Sequence, residues 1–167
     1  MSFFRYPIRY GLQTGVITAP QPSCLPLDET TMAERMQAAG YETHIIGKWH
    51  LGHYCPQCLP TNRGFDTFYG FLTGAEDYET KSFCINIEDD GPDKCGYDFY
   101  KNTDRNPMAN GTYSTYQFRD AARAVIEKNH LNYIATGVKE GSRNIWTSFI
   151  LDGRTQRYGD TKRLLFL

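Results

Sequence analysis

The fold is indicated by one short stretch, residues 31–47, which read TMAERMQAAGYETHIIG. Thr31, followed three residues later by Glu34, forms the capping-box pattern of a helix start, and Gly40 is typical of a helix end. The residues after Gly40 lead into two isoleucines, which predicts a strand that enters the core and ends at Gly47. A helix, a tight glycine turn and a strand make up an αβ unit. The sequence therefore predicts an α/β fold.

Long loops are expected on both sides of this unit. Residues 1–27 are interrupted repeatedly by proline and glycine. Residues 53–112 are expected to be largely irregular, with one short strand within residues 64–71. So long an irregular stretch in a compact domain usually indicates function or a missing structural context.

A second helix is predicted to begin at Ser114 or Thr115 and to end near Asn129. Its apolar residues follow the spacing of one buried helical face. They are Phe118, Ala121, Ala122, Val125 and Ile126. A strand should follow this helix, over either residues 131–137 or residues 144–151.

The composition excludes several classes of protein. The 167 residues are 40% hydrophobic and 22% charged, so a packed core is expected and wholesale disorder is not. The formal charge of −1 gives no reason to expect nucleic acid as a partner. No apolar run approaches the roughly 20 residues of a membrane-spanning helix. The charge is uneven along the chain. Residues 1–133 carry 12 basic and 16 acidic groups, whereas residues 134–167 form a basic tail with 6 basic and 3 acidic groups.

Five cysteines and one sequon favour an oxidising compartment. The cysteines are Cys24, Cys55, Cys58, Cys84 and Cys95, and counting alone leaves their pairing open. Asn110 begins an Asn-Gly-Thr sequon, the acceptor pattern for N-glycosylation. Residues 55–58 form a C-x-x-C that would also suit zinc, but no second ligand pair completes such a site, so disulfide bonds are favoured. The first residues lack the apolar stretch of a signal peptide, which suggests that the chain is a fragment.

The residues with the clearest chemistry come directly after the predicted strand. In an open α/β sheet, ligands bind beyond the carboxyl ends of the strands. Positions i and i+2 of an extended chain point to the same side, so Lys48 and His50 are predicted to converge while Trp49 turns into the protein. An ammonium beside an imidazole suits an anionic group such as sulfate, phosphate or carboxylate. The alternative is that Lys48 is a solvated strand-end charge and His50 a hydrogen-bonded structural residue.

Several ordered motifs extend this segment into a family pattern. They are Arg5-Tyr6-Pro7-Ile8-Arg9, Pro22-Ser23-Cys24-Leu25-Pro26, Gly40-Tyr41-x-Thr43-x-x-Ile46-Gly47-Lys48-Trp49-His50, Cys58-Leu59-Pro60-Thr61-x-Arg63-Gly64-Phe65-Asp66 and Tyr113-Ser114-Thr115. Together they resemble the sulfatase family, in particular its arylsulfatase B type with the similar arylsulfatases I and J. The resemblance covers residues 5 to about 130, within a main segment 1–133, and the tail 134–167 matches no recognised domain.

The resemblance implies a partial alkaline-phosphatase-like fold and the activity of a sulfuric ester hydrolase. In this family a formylglycine is the nucleophile, and a calcium ion binds the sulfate beside it. Lys48 and His50 fall on the family's catalytic and substrate-binding lysine and histidine. His53, which follows this signature, is expected at the rim of the same pocket.

Further expectations follow from the same resemblance. It implies the disulfide bonds Cys24–Cys58 and Cys84–Cys95, with Cys55 left over. The implied substrate is a sulfated small molecule or a glycosaminoglycan, for example one carrying N-acetylgalactosamine sulfate. The implied location is lysosomal or secreted.

The sequence departs from the family at the catalytic centre. It contains no Cys-x-Pro-Ser-Arg motif, which is the source of the formylglycine, and no counterpart of the family's Asp and Asn calcium ligands. We therefore expect calcium by family only, with no metal ligand in this chain, and no sulfatase activity from this chain alone. The alternatives are a non-catalytic binder of sulfated sugar and a non-functional truncated product.

Overall fold

The computed structural model describes residues 6–86, 91–136 and 145–150. Its helices are α1 (Met32–Ala38) and α2 (Ser114–Thr136). Its strands are β1 (Glu42–Lys48), β2 (Thr67–Phe71), β3 (Ser82–Ile85), β4 (Lys94–Tyr97), β5 (Tyr100–Lys101), β6 (Asp104–Arg105) and β7 (Ile145–Ile150). Short 3-10 helices span Pro7–Arg9, Pro56–Cys58, Pro60–Asn62 and Pro107–Ala109. The predicted α/β class is confirmed.

A sheet in the order β6-β5-β2-β1-β7 organises the described part of the chain. β1 lies parallel to β2 and to β7, so that Ile45 pairs with Phe68 on one side and with Ser148 on the other. β5 and β6 extend the sheet antiparallel from β2, while β3 and β4 form a separate antiparallel pair. β1 is therefore a central strand, and its last residue, Lys48, lies beside Phe71 at the end of β2.

The start of α1 is fixed by the predicted capping box. The Glu34 backbone N–H donates to Thr31 Oγ1 at 3.0 Å, and the Thr31 N–H donates to Glu34 Oε2 at 2.7 Å. These two bonds satisfy backbone donors that have no partner within the helix. Gly40 ends the helix with a φ of 84°, which a glycine adopts without strain. The αβ unit is thus encoded locally, as the sequence indicates.

The two helices cover opposite faces of the sheet. Adjacent side chains of β1 point to opposite faces, and each face packs against one of the helices. Ile45 packs in one cluster with α1 residues, and Ile46 packs in a second cluster with Phe118 of α2. The first cluster contains Met32, Ala33, Ile45, Trp49, Phe65, Phe68 and Leu72. Each fully buried large apolar side chain contributes about 1.5–3 kcal/mol, so both faces of β1 are firmly held.

The region expected to be largely irregular contains more strand than predicted. The short strand within 64–71 is present as β2, but β3, β4, β5 and β6 also fall within residues 53–112. β5 and β6 are only two residues each, and β4 is mostly exposed. Such elements depend on pairing with distant partners rather than on a periodic apolar pattern.

The carboxyl-terminal elements differ in extent from the prediction. α2 continues to Thr136, so residues 131–136 are helical rather than a strand. Of the two predicted positions for the following strand, the one within residues 144–151 is present as β7. Ile126 of the predicted buried stripe is 38% exposed, whereas Phe118 is buried. β7 belongs to the basic tail 134–167 and pairs with β1. In the described residues, no helix combines the length and apolarity needed to cross a membrane.

Candidate functional site

The candidate site lies where the chain leaves β1. Lys48 is half-buried as the last strand residue, and Trp49 turns into the core with 3% of its surface exposed, as predicted. The Trp49 N–H donates to Phe71 O at 2.9 Å, and the His50 N–H donates to Leu72 O at 3.1 Å. These bonds tie the signature residues to the end of β2.

The structure corrects one step of the sequence argument. The predicted convergence of Lys48 and His50 assumed an extended chain through both residues. The extended chain stops at Lys48, because His50 has a φ of 52°, in the left-handed region that non-glycine residues rarely adopt. Such backbone conformations persist where surrounding contacts hold them, and they concentrate at functional sites.

The imidazole of His50 is held by Ile17 and Gly74. Its Nε2 lies 3.1 Å from Ile17 O, and since a carbonyl only accepts, the Nε2 carries the proton. The ring also packs on Gly74, where an added Cβ would lie 2.8 Å from His50 Cε1 and 2.9 Å from Nε2. In the neutral ring, Nδ1 is then the proton acceptor.

The charges around His50 favour its neutral form. Burial lowers the pKa of His50, and the nearby Lys48 ammonium lowers this pKa further. The hydrogen bond to Ile17 acts in the opposite direction on the same pKa. Lys48 is therefore close enough to act electrostatically on the imidazole, and the pair presents one cation and one neutral proton acceptor near neutral pH.

Trp49 anchors the segment between these two residues. Its Nε1 donates to Gly52 O at 3.0 Å and to Cys58 O at 3.1 Å. Its ring meets Phe65 edge to face, with the ring centroids 6.1 Å apart. A buried indole with a satisfied N–H stabilises both packing and orientation. The residues on either side of it are thereby held at the sheet end.

Asp98 fixes the neighbouring strand end and was not identified from the sequence. Its carboxylate accepts from Leu72 N at 3.0 Å and from Thr73 N at 2.8 Å, and also from the Thr73 hydroxyl. Leu72 in turn supplies the carbonyl that binds the His50 N–H. Asp98 lies 48 positions after His50 in sequence, so no local pattern connects the two residues.

A second polar cluster lies away from this site. The Lys81 side chain is fully buried, and its Nζ donates to Tyr78 O, to Thr112 O at 2.6 Å and to Ser114 Oγ at 2.8 Å. Burial raises the pKa of nearby Glu76 to about 7, while Ser114 and the Lys81 charge act against this rise. Sequence analysis singled out neither residue.

The cysteines occur as the resemblance implies. Disulfide bonds join Cys24 to Cys58 and Cys84 to Cys95, and Cys55 remains a half-buried thiol. The first bond ties the loop before α1 to the 3-10 helix that follows the signature. The second lies within the β3–β4 pair.

The described residues offer no obvious metal centre. Among residues 6–86, 91–136 and 145–150, no group of three or more His, Cys, Asp or Glu side chains converges in a way that could hold a metal ion. The calcium implied by the family therefore has no fitting donor set in this part of the chain.

The remaining predicted residues lie at the surface or in the sheet. His53 is half-buried, three positions after His50, and Asn110 is exposed after the last 3-10 helix. His44 is a packed residue, with Nδ1 2.7 Å from Thr67 Oγ1. His53 and Asn110 are thus accessible to a ligand and to modification respectively.

Comparison with known proteins identifies the family pattern. The family model described as Sulfatase matches residues 3–137. Arylsulfatase J of Mus musculus is 44% identical over 123 residues, which cover 73% of this chain and 20% of that protein. Arylsulfatase G of Canis lupus familiaris is 51% identical over 65 residues, which cover 37% of this chain and 12% of that protein. Arylsulfatase A of Bos taurus is 48% identical over 68 residues, which cover 40% of this chain and 13% of that protein. The chain thus spans at most about a fifth of these relatives.

Solved structures support the fold. The crystal structure of Ps i-CgsB has a TM-score of 0.53 and 23% identity, covering 91% of this chain and 33% of that one. The crystal structure of the same protein in complex with k-i-k-neocarrahexaose has a TM-score of 0.53 and 21% identity, and the match covers 92% of this chain and 33% of that chain. The expected partial alkaline-phosphatase-like fold is confirmed.

Proposed function

This chain belongs to the sulfatase family, and on that premise we propose that Lys48 and His50 form part of the sulfate-binding site of an arylsulfatase of the B type. The reaction is the hydrolysis of a sulfate ester to an alcohol and inorganic sulfate. One observation carries the proposal: a lysine side chain and an imidazole whose Nε2 is held by Ile17 O lie at the carboxyl end of the central strand. This is the edge at which open α/β sheets bind ligands.

The chemistry of the two side chains suits a sulfate ester. The Lys48 ammonium attracts the sulfate oxygens and offsets charge that develops on them. His50 Nε2–H donates a hydrogen bond to Ile17 O, which leaves Nδ1 to accept a proton from an attacking hydroxyl group. The bond from His50 N to Leu72 O holds the backbone beneath the ring.

Neither Lys48 nor His50 is proposed as the nucleophile. The sequence contains no Cys-x-Pro-Ser-Arg motif, so we propose that these residues bind the ester and that this chain alone does not turn it over. The proposed substrates are N-acetylgalactosamine sulfates of glycosaminoglycans. His53 is proposed to contact the sugar at the pocket rim.

The setting of the protein is part of the same proposal. Two disulfide bonds and the exposed sequon asparagine, Asn110, support a lysosomal or secreted glycoprotein. Glycosylation at Asn110 is tested by a mass shift of that peptide upon glycosidase treatment of protein secreted from a eukaryotic host.

Ligand titration tests the binding part of the proposal. Calorimetry with N-acetylgalactosamine 4-sulfate should show binding that the unsulfated sugar lacks. Lys48→Ala should weaken that binding by about tenfold or more, equivalent to about 1.4 kcal/mol. Lys101→Ala, which removes an exposed lysine of β5, is the matched control and should leave the affinity unchanged. Equal affinity for the sulfated and unsulfated sugars would contradict the proposal.

A second candidate, a non-catalytic binder of sulfated sugar, is favoured by the missing nucleophile motif. Release of inorganic sulfate from an aryl sulfate separates the two candidates. Binding without release, for this chain alone, is expected under both. Release after the chain is joined to a segment that carries Cys-x-Pro-Ser-Arg, in a host that makes formylglycine, supports the enzyme, and continued absence of release supports the binder.

A further inference from the structure

Three sulfur atoms meet beside the candidate site. Cys24 and Cys58 share a disulfide bond, and the Cys55 Sγ lies 3.1 Å from the Cys58 Sγ. This separation is shorter than ordinary van der Waals contact between two sulfur atoms. We propose that Cys55 is a thiol–disulfide exchange site, at which the bridge moves from Cys24–Cys58 to Cys55–Cys58.

The local backbone explains why Cys55 reaches the bridge. The Cys58 N–H donates to Cys55 O at 3.0 Å, which closes a 3-10 turn over Pro56–Cys58. Side chains three positions apart eclipse one another in a 3-10 turn, so the two sulfurs share one side. Cys58 is 1% exposed, whereas Cys55 is half-buried. The thiol of Cys55 therefore contacts the buried sulfur of the bridge, that of Cys58.

The exchange balances without an added oxidant or reductant. The Cys55 thiol loses its proton to solvent, and its sulfur attacks Cys58 Sγ. The Cys55–Cys58 bond forms as the Cys24–Cys58 bond breaks, and the electron pair of the broken bond leaves on the Cys24 sulfur. Cys24 then takes up a proton, so one disulfide and one thiol are present before and after.

The exchange would release the chain ahead of Cys24 without opening the core. Leu25 is buried and keeps its own anchors, since its N–H donates to Leu51 O at 2.8 Å and its carbonyl accepts from Arg63 Nη1 at 3.1 Å. The released segment includes Ile17, whose carbonyl contacts His50 Nε2. Resting on the proposed function, the consequence is that the bridge position controls how firmly His50 is held.

Peptide mapping tests the exchange directly, because trypsin cleaves after Arg9, Arg35, Lys48 and Arg63. In the observed pairing, peptide 10–35 is linked to peptide 49–63. After exchange, peptide 49–63 carries an internal disulfide and lacks two hydrogen atoms, while Cys24 in peptide 10–35 is alkylated. The native 167-residue protein is incubated at pH 8.5, quenched with acid, and alkylated before digestion.

Two variants make the result decisive. Cys24→Ser should give only the internal Cys55–Cys58 bond, and Cys55→Ser should give only the Cys24–Cys58 link at every incubation time. The wild type should show both forms, with the exchanged form appearing faster at pH 8.5 than at pH 5 because the thiolate is the nucleophile. A wild type that keeps only the linked pair, or one that scrambles to Cys84 or Cys95, overturns the inference.

A further readout connects the exchange to the site. The His50 ring signals in NMR spectra should differ between Cys24→Ser and Cys55→Ser, since only the latter holds the Ile17 segment through the bridge. Identical His50 signals would overturn the link to the site. The mapping uses no sulfated ligand, so loss of the proposed sulfate binding and loss of the exchange are seen separately.

Discussion

Two lysines of the described part of the chain, Lys81 and Lys48, lie in opposite surroundings. Lys81 is fully buried and is saturated by two carbonyl groups and the hydroxyl of Ser114. Lys48 is half-buried at a strand end, where its charge acts on His50. A buried ammonium persists only when protein groups replace its water, which makes Lys81 a structural residue. The comparison shows why Lys48, which the fold leaves partly exposed, is available to a ligand while Lys81 is not.

The largest effect is expected from Lys81→Met. This change leaves three acceptors without their donor and should lower the free energy of unfolding by about 3 kcal/mol. Lys48→Met is the matched control and should change it by no more than about 0.5 kcal/mol. Urea denaturation followed by circular dichroism measures both. Equal losses for the two variants would remove the distinction between the two lysines.

A smaller effect is expected from Gly74→Ala, which acts on the histidine side of the site. An added Cβ would lie 2.8 Å from His50 Cε1 and 2.9 Å from His50 Nε2, so the ring must shift and its contact with Ile17 O is disturbed. We expect a stability loss of about 1 kcal/mol and weaker binding of N-acetylgalactosamine 4-sulfate. Gly96→Ala is the control, because no atom lies within 4 Å of the Cβ position there. Unchanged sulfate affinity in Gly74→Ala would show that ring position does not matter.

A pH-dependent effect is expected from the titration of Glu76 in the cluster of Lys81. Its pKa is raised to about 7 from 4.5, so between these pH values the folded chain binds more protons than the unfolded chain. Stability should therefore fall as the pH rises from about 4.5 to about 7. Glu76→Gln should remove this decrease in the unfolding free energy with pH. Unfolding free energies at pH 5 and pH 8 test it, and an identical slope in the variant would be the contrary result.

The parts of the fold that sequence could predict are those with local signals. The capping box of Thr31 and Glu34, the turn at Gly40 and the strand that follows depend on neighbouring residues, and all three are present. The inward turn of Trp49 was also predicted. The short strands β3 to β6 were not, because their pairing depends on partners distant in sequence or on turns with little apolar content.

The sequence supplied the candidate residues of the site but not their geometry. The motif singled out Lys48 and His50, yet the argument from an extended chain was wrong, since His50 adopts a left-handed conformation. The supports of the ring come from Ile17 and Gly74, and Asp98 fixes the neighbouring strand end. These contacts join segments far apart in the chain, so no pattern within one segment specifies them.

The most direct test of the central claim is an NMR titration of the His50 imidazole with and without N-acetylgalactosamine 4-sulfate. A bound sulfate should raise the pKa of His50, because a nearby anion stabilises the imidazolium. The same rise should be absent in Lys48→Met, which loses the cation that helps to hold the sulfate. A His50 pKa that is the same with and without the ligand in the wild-type chain would contradict the account.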